Sequence, residues 1–556
     1  MVLIFKWKRN CYCSELNKKK KKKVVLNGWI QEKKKINGNY ELTLRDFSGC
    51  AKILVKKENE LFNELTKTPL ESVVSIKGKI KKEKKELFVI AEKMLILNKA
   101  SKLPIKIGKE KDEGKRLKYR YLELRSKKMQ ENLRIMHEVK KITREYLIEA
   151  GFIEIETPVL ATHTPEGSSD FFVSSRKNKE RKYVLPQSPQ LYKQLLMIAG
   201  IEKYFQFPKC FRDDFLMEVK QPEFTQLDIE MSFADEKEVF KLMEGLVKKL
   251  FKEILEEKIK TPFNIMSYEN AMEYYGSDKP DTRFGLKLND ITDELKDTEF
   301  KEFKKIIAKK GKIKAFKADC SKLKPKDFRD LHKRAKKFNA KELYLLEVKE
   351  KTKVKGKIAK YLSKENTKNL IKKLKAEKNE TIFITAGDYF TANNSLRKVR
   401  LLLGEKLGLI KKNKWNFLWV NEFPLFEISD LSNRLEAMHN AFIKPMEGHE
   451  KLIEKKPLEV KARMYDLVLN GVELGGGGVR TTDAKTLKKV LKKLRYNKKQ
   501  INTNFGFFLN ALNYGVPPHT GIALGLERLV MLLAKEKSIK DVIAFPKNEK
   551  GISSMS

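Results

Sequence analysis

Two arginines, each set among acids and apolar residues, offer the first chemistry in this chain. One lies in Phe211-Arg212-Asp213-Asp214, followed by Gln221-Pro222-Glu223-Phe224-Thr225-Gln226-Leu227-Asp228. The other closes Gly521-Ile522-Ala523-Leu524-Gly525-Leu526-Glu527-Arg528, near the opposite end of the sequence. Arginine carries a permanent, planar fork of donors that grips a phosphate in two places at once. Two such forks predict one triphosphate site assembled from distant strands. The competing role for either arginine is a buried ion pair.

Several domains must position them. A chain of 556 residues has room for three or four units of about 150 residues each. Apolar residues make up 41%, enough for packed cores and too many for a disordered chain. The formal net charge of +45 suits a polyanionic partner such as RNA. Lysine is spread over nearly every segment, a pattern that solvated surface lysines also produce, so charge alone does not single out a nucleic acid. Cys11, Cys13, Cys50, Cys210 and Cys320 are scattered and form no CxxC pair, which argues against a zinc site and a disulfide frame and points to the cytosol. No apolar run approaches the roughly 18 residues of a membrane span, and Met1 to Trp7 is too short for a secretory core.

Residues 24 to 97 read as short strands broken by turns, with a helix-like stretch near Leu61 to Leu65, the pattern of a five-stranded oligonucleotide-binding barrel. Such barrels bind single strands by stacking and backbone charge. A polar, lysine-rich linker follows, residues 101 to 120. Met129 to Ala150 shows helical spacing and Gly151 ends it. Ile153 to Leu160 alternates as a strand, and residues 235 to 258 read as an amphipathic helix. Residues 285 to 412 alternate helix and strand patterns with few chemistry-bearing clusters and read as an inserted domain. It separates two flanking parts, 121 to 284 and 413 to 556, which carry the two arginine segments.

The order of these features resembles class II aminoacyl-tRNA synthetases, specifically the bacterial-type aspartyl family. The resemblance covers nearly the whole chain. It is carried by Arg120-Tyr121-Leu122-Glu123-Leu124-Arg125, by Glu156-Thr157-Pro158, and by Thr164-Pro165-Glu166-Gly167. Gln187-Ser188-Pro189-Gln190-Leu191-Tyr192-Lys193-Gln194-Leu195, Tyr275-Gly276-Ser277-Asp278-Lys279-Pro280-Asp281 and Glu473-Leu474-Gly475-Gly476-Gly477 add to it, with the two arginine segments as the second and third class motifs. Ile384-Thr385-Ala386-Gly387-Asp388 is similar to the signature of that family's extra GAD-type domain. The implied fold is α+β and multidomain: an N-terminal OB-type barrel (residues 1 to 100), a class II antiparallel-sheet core in which the two flanking parts form one catalytic domain, and an inserted α+β domain.

The resemblance implies ATP-dependent attachment of aspartate to tRNA(Asp) through an aspartyl adenylate. The attacking carboxylate is already anionic, so positioning and charge stabilisation carry the burden. Arg212 would hold the α-phosphate and the substrate carboxylate. Phe224 would stack on adenine, with Arg528 over the other face and reaching the γ-phosphate. Asp213, Asp214, Gln221, Gly525, Leu526 and Glu527 would line the ATP side. Asp466 and Glu473 would ligate Mg2+. Lys193 and Arg480 would pair with the side-chain carboxylate. Glu166, Gln190 and Asp228 would take the α-ammonium beside Ser188, and His439 would close over the substrate. Gly475 to Gly478 would let backbone approach the substrate or form a tight strand-end turn.

Departures from the family pattern are Asp214 for glutamate, Asn440-Ala441 after His439, and a barrel loop Glu32-Lys33-Lys34-Lys35 poor in arginine, with Glu41 beside Tyr40 where an aromatic residue is usual. None removes a phosphate-binding group. A cytoplasmic homodimer joined through the Pro158 segment is expected, with no membrane partner. The alternatives are an enzyme that also aspartylates tRNA(Asn), with Gln31 and Gly78 in the barrel regions concerned, a catalytically silent tRNA-binding paralogue, and an adenylate-forming asparagine synthetase on the same core.

Overall fold

The computed structural model describes residues 7–19, 22–83, 86–163, 168–177, 182–214, 220–411, 413–429 and 433–555. The chain divides into two compact units, Met1–Glu123 and Leu124–Ser556.

In the first unit, β1 (Lys23–Ile36), β2 (Asn39–Arg45), β3 (Cys50–Val55), β4 (Val73–Glu83) and β5 (Glu86–Asn98) close into a barrel in the order β1-β2-β3-β5-β4, with α1 (Leu61–Thr66) between β3 and β4. Only β3 and β5 pair in parallel. Alternation along β1 sends Val24, Leu26 and Ile30 into a core shared with Leu42, Leu44, Ile53 and Val89. A Cβ on Gly78 would stand 2.2 Å from the Ile90 carbonyl oxygen, beside a register shift in β4, so packing requires this glycine.

In the second unit, α2 (Lys127–Glu149) is capped by Ser126, whose hydroxyl accepts from the Met129 amide at 3.3 Å. Gly151 follows it at φ +83°. The expected strand over Ile153 to Leu160 shortens to β6 (Ile153–Glu154), paired in parallel with Tyr204-Phe205. Pro158 has no N–H to donate to a longer ladder.

The elements that bound the site are α3 (Gln190–Ile198), β7 (Lys203–Gln206), β8 (Lys209–Phe211), β9 (Glu223–Ser232), α4 (Glu236–Leu255), β10 (Asn264–Ser267) and α5 (Tyr268–Tyr275). The inserted segment holds β11 (Lys312–Asp319), β12 (Tyr344–Glu350), β13 (Glu380–Gly387) and α6 (Tyr389–Lys406). The chain returns with β14 (Phe417–Asn421), β15 (Met464–Leu469), β16 (Val472–Val479), β17 (His519–Gly525) and α7 (Leu526–Leu533).

Among the described residues a nine-stranded sheet runs β10-β14-β15-β16-β17-β9-β7-β6, with β8 paired to β9. Its centre is antiparallel, and the strands on either side of the insertion, β10 and β14, are parallel neighbours at one edge. The chain thus leaves and re-enters the sheet at adjacent positions. Between them the inserted residues form their own five-stranded sheet with β13 next to β11, and Asp388 caps α6 by accepting from the Thr391 amide.

Candidate active site

Strand β9 shows how sequence places chemistry. Successive side chains alternate faces, so Leu227, Ile229 and Met231 enter the apolar core with α4. The intervening Gln226, Asp228 and Glu230 occupy the opposite face and are also buried. Opposite them in register stand Gly525, Ala523 and Gly521 of β17. A Cβ on Gly521 would lie 2.1 Å from Glu230 Oε2. Small residues therefore leave room for a polar floor under a cavity of about 670 Å³.

The run Gly475 to Gly478 lies within β16 and forms no turn. A Cβ on Gly476 would stand 2.3 Å from Asp466 Oδ1, so a carboxylate fills the space beside that glycine.

Arg212 and Arg528 both line this cavity. Arg212 follows β8, its backbone amide donating to the Pro222 carbonyl at 2.9 Å. Its guanidinium carbon lies 5.1 Å from the centre of the Phe224 ring, and its buried Nε has no partner. Arg528 sits in the first turn of α7. Its Nη1 donates to the Glu473 carbonyl oxygen at 3.1 Å and lies 3.6 Å from Glu473 Oε1. Among the described residues neither arginine is spent on a fully buried ion pair.

Glu527 anchors the start of α7, both carboxylate oxygens accepting from the Thr225 amide at 2.9 and 3.0 Å. Burial pushes its pKa up. Gln221 lines the cavity, yet its amide group is engaged with the Lys547 backbone in both directions. Asp214 also lines it and accepts from the Ser169 amide. Two residues expected on the ATP side lie elsewhere. Leu526 is fully buried in the apolar core, because the first helical turn directs that position inward, and Asp213 is exposed. Gly525 lines the cavity, whereas Glu166 lies outside the described residues.

Acidic groups meet beside Arg528. Asp466 on β15 is 1% exposed, and neither of its carboxylate oxygens has a hydrogen-bond partner. Burial and the adjacent Glu473 push its pKa well above the usual carboxylate range. Burial opposes ionisation of Glu473 as well, but Lys279 and Arg528 overcome it and bring Glu473 down to about 2. His439 Nδ1 is 3.8 Å from Asp466 Oδ1, and burial lowers the histidine's pKa, favouring the neutral ring.

At the other end of the cavity four charges interlock. Lys193 Nζ on α3 lies 2.5 Å from Asp228 Oδ1 and 3.1 Å from Glu230 Oε2. Arg480 grips Glu230 with Nε and Nη2 at 2.8 and 3.0 Å. All four side chains are buried to 2% exposure or less. Burial would raise the Glu230 pKa, but Arg480 and then Lys193 bring it to about 2. Asp228 is pushed up by burial despite Lys193, and its Oδ2 has no partner.

The cation pair expected for a substrate carboxylate is therefore already compensated by Glu230. Sequence reasoning passed over that residue, although the alternation Gln226-Asp228-Glu230 marked it. Gln190 Nε2 is likewise buried without a partner, and Ser188 lines the cavity with it.

A nucleotide-sized cavity on an antiparallel sheet, lined by two arginines from distant segments, defines a class. The family model described as tRNA synthetases class II (D, K and N) matches residues 112–549, and an OB-fold nucleic acid binding domain matches residues 24–97. The chain belongs to the class II tRNA synthetases. A relative from Aquifex aeolicus, an aspartate–tRNA(Asp/Asn) ligase, is 40% identical over 98% of this chain and 95% of that relative. An aspartate–tRNA ligase from Ruminiclostridium cellulolyticum is 39% identical over 99% and 95%. Within its class this chain is a member of the aspartate–tRNA ligase family. Asparaginyl-tRNA synthetase from Pyrococcus horikoshii, solved with asparaginyl-adenylate, shares the fold at TM-score 0.62 and 20% identity, covering 97% of this chain and 98% of that one.

Proposed function

We propose that this enzyme joins L-aspartate to tRNA(Asp) through an aspartyl adenylate. The observation that carries the reading is a single cavity with Arg212 and Arg528 towards one end and the Lys193–Arg480 pair at the other. Aspartate is a zwitterion with an extra carboxylate. Arg480 and Lys193, held in place by Glu230, face that carboxylate. Asp228 Oδ2 faces the ammonium, and Gln190, whose free Nε2 can only donate, lines the cavity beside it. Asparagine lacks the second carboxylate and so would make only neutral-acceptor hydrogen bonds to Arg480 and Lys193, which are weaker than charge-assisted ones.

In the first half-reaction a carboxylate oxygen of aspartate attacks the α-phosphorus of ATP. A C–O–P linkage forms, the bond to the β-phosphate oxygen breaks, and pyrophosphate leaves. Arg212 steadies the α-phosphate and Arg528 the leaving charge. The ribose hydroxyl at the tRNA 3′ end then takes the aspartyl group and AMP departs.

Asp466 and Glu473 fit a magnesium ion: they are hard carboxylates, one with both oxygens unpartnered. Among the described residues they would hold the ion without a third such side chain, so phosphate oxygens and water would have to supply the rest of its shell. Bound there, the ion would supply charge neutralisation to the phosphates.

The test is charging of tRNA(Asp) and tRNA(Asn) transcripts with labelled aspartate. Aspartyl-tRNA(Asp) is the expected product, and failure to charge either transcript overturns the reading. The Aquifex relative is named for both tRNAs, so charging of both would mark a non-discriminating enzyme. Gly78 also has a packing reason in the barrel, the close approach of the Ile90 carbonyl.

The enzyme is a homodimer in this reading. Ile148, Ile153, Val159 and Leu160 are 55, 54, 49 and 54% exposed around the Pro158 segment, an apolar group that suits a second copy. Sedimentation as a monomer at micromolar concentration would refute it. No helix among the described residues is long and apolar enough to cross a membrane. Of the five free cysteines four are buried, which agrees with a reducing, cytosolic setting.

A further inference from the structure

The segment Gly276 to Asp281 links α5 to the inserted domain, and it sends one side chain back to the acidic end of the cavity. Lys279 Nζ lies 2.8 Å from Asp278 Oδ2 and 3.3 Å from Glu473 Oε2. Glu473 thus sits between two cations, Lys279 on Oε2 and Arg528 on Oε1.

The backbone that presents Lys279 is held by α6 of the inserted domain. Ser277 Oγ accepts from Arg397 Nη1 at 3.0 Å and from the Lys279 amide at 3.2 Å. A Cβ on Gly276, at φ +64°, would meet the Asn393 carbonyl oxygen at 2.6 Å, so the turn lies directly against the helix. Three residues further along α6, Arg400 is 1% exposed. It donates to the carbonyls of Asp281, Phe284, Gly285 and Leu286, with its guanidinium carbon 4.0 Å from the Phe284 ring centre. A buried arginine spending its donors on one stretch of backbone fixes that stretch.

We propose that Lys279 is a positioning residue of the triphosphate site, held there by the inserted domain, whose ammonium holds Asp278 and Glu473 until a metal–nucleotide complex takes its place on Glu473. Without a cation, Asp278 and Glu473 would leave half-exposed negative charge beside Asp466 and attract a divalent ion before ATP arrived. With Lys279 in place the corner is balanced, Glu473 keeps its orientation, and the metal enters together with the phosphates. The proposal rests on the ATP site described above and adds a residue to it that carries no role in the preceding reading.

The test titrates Mn2+ into the nucleotide-free full-length protein and reads the unbound ion by its paramagnetic resonance signal. Removing a unit charge a few ångströms from the ion should tighten Mn2+ binding by about tenfold or more in Lys279→Met. Lys279→Arg, which keeps the charge, should match the wild type. Adding Glu473→Gln to Lys279→Met should abolish the gain, which surface binding would not show. Arg397→Met should move affinity in the same direction by a smaller factor. Mn2+ affinity in Lys279→Met equal to that of wild type, in a protein with an unchanged melting temperature, overturns the proposal. A gain in Lys279→Met with none in Arg397→Met overturns the part assigned to the inserted domain. Aspartate-dependent ATP–pyrophosphate exchange by the wild type, measured alongside, shows separately whether the underlying functional reading stands.

Discussion

Arg528→Ala is expected to lower aspartate-dependent ATP–pyrophosphate exchange by about 10³-fold or more, the range seen when a guanidinium facing a transferring phosphate is lost. The structure argues that this loss will be chemical. Arg528 makes one hydrogen bond to the Glu473 carbonyl and a longer ionic contact to its carboxylate. The attachment of α7 to β9 runs instead through Glu527 and the Thr225 amide, which the substitution leaves in place. Melting temperature and tRNA affinity should therefore stay close to wild type. Lysine at this position keeps the charge but loses the planar fork, so Arg528→Lys should recover only part of the rate. Exchange by the alanine variant within about tenfold of wild type would remove Arg528 from the phosphate site, since tenfold corresponds to roughly 1.4 kcal/mol of barrier.

The second large effect concerns Arg480. Arg480→Met leaves Glu230 buried with Lys193 as its one remaining ionic partner among the described residues. Breaking a buried pair on one side costs about 3–5 kcal/mol, because the surviving charge is stranded away from water. Two readouts should move together. The melting temperature should fall by several degrees, and kcat/KM for aspartate should drop by about 10²–10³-fold, because the guanidinium facing the substrate carboxylate is lost. The KM for ATP should change little, since Arg480 lies at the other end of the cavity. An unchanged aspartate KM with a lowered melting temperature would make Arg480 a structural residue only.

The same cluster sets an acid limit on stability. Glu230 has a folded pKa of about 2 against an ordinary value of 4.5. A carboxylate depressed in this way contributes fully above its unfolded value and loses that contribution as pH falls towards 2. Wild-type melting temperature should decline across this window. Glu230→Gln should be less stable at neutral pH and lack this part of the acid slope. An equal slope in both proteins would mean that other carboxylates control acid unfolding.

Much of this site was legible before any coordinates, for local reasons. Glycine and apolar alternation mark β16 and β17, and alternation also places Gln226, Asp228 and Glu230 on one face of β9. The barrel followed from strand and turn chemistry. Other features misled because the same signals serve two ends. The Leu526 side chain, expected on the ATP side, turns into the core, and Gln221 lines the cavity as expected but gives its amide to the Lys547 backbone. The alternation over Ile153 to Leu160 promised a strand that Pro158 does not sustain.

By itself the sequence determined residue types, their periodicity, and the family motifs that carry them. Those depend on neighbours a few positions apart, where backbone geometry allows few choices. Tertiary structure decided which charges meet. Glu230 finds Arg480 across 250 residues and Lys279 reaches Glu473 across 194. Such pairings depend on sheet register and on where an inserted domain rejoins the chain. Desolvation then decides which carboxylates stay ionised, and burial is a property of the assembled fold that no single segment carries.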